Sequence, residues 1–152
     1  NKKTNKKFSS SIIRKDIKDG SFEKVSEALG RNWFMKGKII KGDQKARLIN
    51  FPTANIKPGN HILPKKGVYC VKVILEGKTY KGIANFGERP TVKGLNLLLE
   101  THLFEFNSNI YGKELTVEFL TFIRPEKKYK DFKTLTSQIQ KDVNKAKKYH
   151  KI

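Results

Sequence analysis

The sequence predicts a mainly β protein, an antiparallel barrel with a helix at its C-terminal end, and three observations predict it. From Trp33 onward the apolar residues recur with period two rather than 3.6. The strand-like runs follow one another in hairpin order with no helical stretch between them, unlike the strand–helix alternation of a parallel sheet. The chain of 152 residues is one domain's worth, long enough to bury a core.

Taken in order, residues 1–7 are polar and basic and are expected to be disordered. A short helix is expected over 21–29. Ser21 is its N-cap, Phe22, Val25, Ala28 and Leu29 share a face, and Gly30 stops it. Trp33, Met35 and Ile39 alternate with Lys36 and Lys38 as a first strand. A denser apolar strand covers 68–75, a turn falls at Glu76-Gly77-Lys78, and 79–86 returns as its partner. Residues 95–106 form another strand, the chain turns near Ser108-Asn109, and 114–123 pairs back. Leu135, Ile139, Val143 and Ala146 make one apolar stripe, so 134–149 is expected to be a helix packed on the barrel.

Lys and Arg outnumber Asp and Glu by 33 to 14, a net charge of +19 that raises the question of nucleic acid. The lysines are scattered through every segment and are dense only over 2–7 and 141–151. No specific nucleic acid is therefore expected, and an anionic small substrate such as a nucleotide fits the charge equally well. The lone Cys70 lies in an apolar run, which implies neither a disulfide nor a metal cluster and suits a reduced cytoplasm. His61, His102 and His150 lack zinc-ligand spacing. No apolar run approaches the roughly 18–20 residues of a membrane span, and no signal peptide is evident. A start at asparagine rather than methionine suggests a fragment of a longer protein.

The chemistry centres on residues 51–56, FPTANI. Pro52 fixes its own φ and pushes Phe51 into an extended conformation. Thr53 and Asn55 are two apart, so their oxygens point to one side of an extended segment. Such a pair can take two positions on a hard cation, or it can satisfy backbone groups at a strand end. No GxxxxGK[ST] or GxGxxG string occurs, so phosphates must be held otherwise. The run over 37–47 supplies backbone N–H groups and cations for that task. Glu100 stands in the densest apolar context of the chain, where a carboxylate must be paired, hydrogen-bonded or kept for a task.

FPTAN resembles the signature of riboflavin kinases, and three further blocks match that family in order. Residues 37–55 are similar to GxVxxGxxxGRxxGFPTAN, with Ala46 and Asn50 at two of its glycines. Residues 82–91, GIANFGERPT, resemble GVANxGxRPT; residues 100–112 resemble ExHLxDFxxDLYG; residues 124–142 resemble RxExxF…L..QI..D. Residues 8–150 as a whole resemble the C-terminal half of the bacterial bifunctional riboflavin kinase/FMN adenylyltransferase (FAD synthetase).

That resemblance implies a six-stranded antiparallel Greek-key barrel with a C-terminal helix and a short N-terminal helix. It implies transfer of the γ-phosphate of ATP to the 5′-hydroxyl of riboflavin, giving FMN and ADP, with Mg2+. By the same resemblance Glu100 is the base, and Thr53 and Asn55 hold the metal. Gly37, Lys38, Gly42, Lys45, Arg47 and Pro52 join that pair around the ATP phosphates, and Asn85 and Arg89 shape the cleft. Burial is expected to raise the Glu100 pKa, and aromatic side chains near the last helix to supply the flavin slot. Arg124 and Asp142 are expected to pair between helix and barrel. Residues 1–30 read as a basic tail, a remnant of an N-terminal adenylyltransferase domain whose closing motif, SSTxIR, resembles 9–14; residues 31–152 read as the kinase domain. Two other readings stand beside this one. One is a flavin- or nucleotide-binding module without turnover; the other is a basic OB-like barrel for nucleic acid.

Overall fold

Six antiparallel strands curl into a nearly closed barrel in the computed structural model, which describes residues 10–40, 53–59, 62–91, 94–106 and 108–152. The strands are β1 (Phe34–Lys38), β2 (Ala54–Ile56), β3 (Gly67–Leu75), β4 (Lys78–Thr91), β5 (Gly94–Leu103) and β6 (Glu114–Pro125). Their lateral order is β1-β6-β3-β4-β5-β2. Three hairpin-connected strands, β3 to β5, with β6 returning beside β3, make a Greek key. An antiparallel bridge between Ile40 and Asn55 brings the two edge strands together.

Local chemistry explains most of these elements. Leu75 and Lys78 face each other across Glu76 and Gly77, both at positive φ (50° and 77°), which is the two-residue turn that matches the twist of a hairpin. β3 is apolar at nearly every position because both of its faces are covered. Tyr69, Val71 and Val73 point into the barrel core, while Val68 and Cys70 lie beneath α3 (Phe132–His150) with Ile83, Phe104, Val143 and Ala146. Asp131 caps α3 by accepting from the Thr134 N–H at 2.7 Å.

The structure corrects the expected outline in four places. A further helix, α1 (Ser10–Lys18), precedes α2 (Phe22–Leu29), so two short helices stand where one was expected. Ile17, Phe22 and Val25 are buried in the barrel core, and Phe22 packs on Trp33, Tyr69 and Phe119 at centroid distances of 4.9–5.4 Å. α1 escapes a sequence reading because its apolar face is narrow; the barrel supplies the cover that stabilises it. Ser21 stands at the N-cap of α2 but makes no capping hydrogen bond, whereas Gly30 ends that helix in the left-handed conformation as expected. β4 runs on through the Asn85–Thr91 stretch, whose composition suggests loop. β5 stops at Leu103, where the chain turns through Glu105 at φ 58°.

Cys70 is fully buried, with its Sγ 3.1 Å from Nε2 of His150, and burial pushes the thiol up to about 12. A thiol so placed holds almost no thiolate at neutral pH. The folded chain is expected to resist iodoacetamide at neutral pH and to be modified at Cys70 once unfolded in urea. Rapid alkylation of the native chain would contradict this burial.

Candidate active site

Strand register assembles the site. Across β2 and β5, Asn55 stands opposite Glu100; across β5 and β4, Glu100 stands opposite Asn85. Asn85 faces Val68 on β3, and Val68 faces Arg124 on β6. One row thus runs Asn55–Glu100–Asn85–Val68–Arg124 over five strands, with neighbours about 4.8 Å apart. It lies on the outer face of the sheet, because the alternate residues Leu99 and Thr101 are buried inside, as the i, i+2 argument requires.

Arg124 reaches this face through two register shifts in the β3–β6 pairing, between Val68 and Tyr69 and between Cys70 and Val71. Phe122 opposite Tyr69 points inward, and strict alternation would send Arg124 inward too. The bulge turns it outward instead. There Arg124 grips Asp142 of α3 with Nε and Nη2, at 2.9 and 2.7 Å, so the expected helix–barrel pair forms. Asp142 also accepts from Gln138 Nε2 at 2.9 Å.

Glu100 is an ion-pair partner of Arg89, with only 14% of its side chain exposed. Arg89 lies on the same face, four residues past Asn85, and its Nη1 also donates to Glu126 Oε1 and to the Glu88 carbonyl, each at 2.7 Å. Burial works against the Arg89 charge, but the carboxylates of Glu100 and Glu126 outweigh it and hold the guanidinium above its ordinary value. Arg89 stands against Glu100 as its cationic partner.

Two clefts flank the row. One lies between the sheet and α3 and is lined by residues including Asn85, Glu100, His102, Arg124 and Val143. The other opens beside the connection from β5 to β6 and includes Thr101, Phe106, Asn109 and Tyr111. Thr53 lines both, with Ile83 and Ala84 beside it in the first and Ala54 in the second. The slot beside α3 is walled by Ile83, Ile139 and Val143, with His102 as its ring-bearing member.

Asn55 is 2% exposed and its Oδ1 has no hydrogen-bond partner among the described residues; the Oδ1 of Asn85 and the hydroxyl of Thr101 share that condition. A buried amide oxygen without a donor is costly and suits a cation or a ligand hydroxyl. The structure therefore brings together Thr53, Asn55, Asn85, Arg89 and Glu100. Gly37 packs against Ile56, where a Cβ would lie 3.3 Å from the Ile56 Cβ, and Lys38 is exposed; neither lines a cleft. Gly42, Lys45, Arg47 and Pro52 lie outside the described residues.

Residues 29–150 match the family model described as Flavokinase: Riboflavin kinase. The chain belongs to the riboflavin kinase family. It is 44% identical over 144 residues to the bifunctional riboflavin kinase/FMN adenylyltransferase of Haemophilus influenzae, and 40% identical over 148 residues to that of Bacillus subtilis. These alignments take in 94% and 95% of the chain but 47% of each relative, so the chain spans about half the length of the curated relatives it matches. Among solved structures, a Streptococcus pneumoniae protein described as macrolide-efflux superposes with a TM-score of 0.82 at 31% identity, over 91% of this chain and 46% of that one. A riboflavin kinase from Trypanosoma brucei shares the fold, at TM-score 0.54 and 23% identity over 76% of this chain and 78% of that one. No helix among the described residues is long and apolar enough to cross a membrane.

Proposed function

We propose that this chain is a riboflavin kinase that transfers the γ-phosphate of ATP to the 5′-hydroxyl of riboflavin, giving FMN and ADP. The observation that carries the reading is Glu100, a carboxylate set between two asparagine oxygens without partners among the described residues, where two clefts meet at Thr53. The cleft beside α3 takes the flavin and the other takes the nucleotide. Glu100 accepts the hydroxyl proton, the freed oxygen attacks the γ-phosphorus, and the bond to the ADP oxygen breaks. Ile83, Ile139 and Val143 hold the ring and exclude water.

The Thr53 hydroxyl and the orphaned Asn55 Oδ1 are hard oxygen donors that fit Mg2+. When bound, the ion neutralises phosphate charge. The segment over 37–47, with Pro52, lies next to this pair in sequence and is the proposed cover for the phosphates. We further propose that residues 31–152 are the kinase domain and that 1–30 lead in from an adenylyltransferase domain of a longer cytoplasmic protein, as the names and lengths of the relatives support.

Mixing the chain with riboflavin, ATP and magnesium should yield FMN and ADP in equal amounts. ATP-dependent FMN formation no faster than in a blank would sink the reading and leave a binding module. Asn55→Ala should lower kcat/KM by a factor equivalent to at least ~2 kcal/mol. Unchanged kinetics in that variant would remove Asn55 from the site.

A further inference from the structure

Glu126 follows β6 directly and belongs to neither cleft, yet its carboxylate comes back over β4 to meet Arg89 at 2.7 Å. Gly87 makes the space for it. A Cβ at that position would lie 1.8 Å from Glu126 Oε1 and 2.3 Å from its Cδ. Gly87 stands midway between Asn85 and Arg89 on the same outward face, so a side chain there would push Glu126 off the guanidinium. Arg89 in turn contacts Oε1 of Glu100 through Nε while its Nη1 is taken by Glu126 and the Glu88 carbonyl.

A guanidinium fixed at Nη1 from two sides has one orientation left for Nε, and that orientation sets where Glu100 stands. We propose that Glu126, seated over Gly87, is a positioning residue that acts through Arg89 to aim the Glu100 carboxylate at the substrate hydroxyl. This rests on the reading of Glu100 as the base. Released by Glu126, Arg89 can close on Glu100 with both donors and hold the carboxylate away from the hydroxyl.

Steady-state kinetics of Glu126→Gln and Gly87→Ala test this, each in the parent chain and combined with Glu100→Gln. Both single variants should lose about tenfold in kcat, a geometric misplacement, with KM for riboflavin changed less than about twofold. Neither should slow the Glu100→Gln chain further, since the base they aim is gone. The Gly87→Ala Cβ meets the movable end of a side chain, so that variant keeps the test open if Glu126→Gln folds poorly. Parent-like kcat in the folded variants, or the same loss with and without Glu100, would overturn the proposal. Parent-like turnover by Glu100→Gln alone would instead refute the base.

Discussion

Glu100→Gln is expected to turn riboflavin over about 10²–10⁴-fold more slowly than the parent chain while binding it with similar affinity. The substitution keeps the shape and a hydrogen-bonding oxygen but removes the proton acceptor. Its place in the row argues for a site effect rather than a packing one. Glu100 faces Asn55 and Asn85 on the outer surface, whereas Leu99 and Thr101, which carry the barrel interior, are untouched. Thermal unfolding should therefore shift little, although Gln forfeits the charge on Arg89. Single-turnover kinetics with saturating ATP separate the chemical step from binding. A folded Glu100→Gln chain that makes FMN at the parent rate would leave Glu100 as the structural partner of Arg89 and nothing more.

Asp142→Ala is expected to cost about 3 kcal/mol of folding stability. Asp142 is 2% exposed, accepts from both Nε and Nη2 of Arg124, and takes a further bond from Gln138. Deleting it strands a guanidinium beside α3, and α3 covers one wall of the cleft. Arg124→Met combined with Asp142→Leu should recover much of that loss, since a buried pair replaced by apolar groups of similar size leaves no charge uncompensated. The urea midpoint reads both variants. A loss under about 1 kcal/mol for Asp142→Ala would place the pair with ordinary surface bridges.

The barrel was legible because its strands alternate and because turn chemistry at Glu76-Gly77 leaves little choice of hairpin. The C-terminal helix was legible from the stripe that ends in the buried Val143 and Ala146. α1 was not, since its burial depends on Ile17 joining the barrel core, a contact no local pattern encodes. Glu100 stood out because its polarity conflicts with its apolar neighbours, and Asn55 because its spacing from Thr53 aims both oxygens one way. Glu126 carried no such conflict, and the glycine that admits it looks like any other glycine in a loop-like run.

By itself, the sequence determined which residues face in and which face out along each strand, since alternation is a property of an extended chain. It also determined the chemical types on the outer face of β2, β4 and β5. Register was decided by the tertiary structure: hairpins and bulges placed Asn55, Glu100, Asn85 and Arg124 in one row although they are scattered over some 70 positions. Pairing between strands is non-local, and a slip of one residue sends every side chain to the other face. The bulges that turn Arg124 outward, and the niche at Gly87 that admits Glu126, exist only once β6 has docked on β3 and its end has folded back across β4.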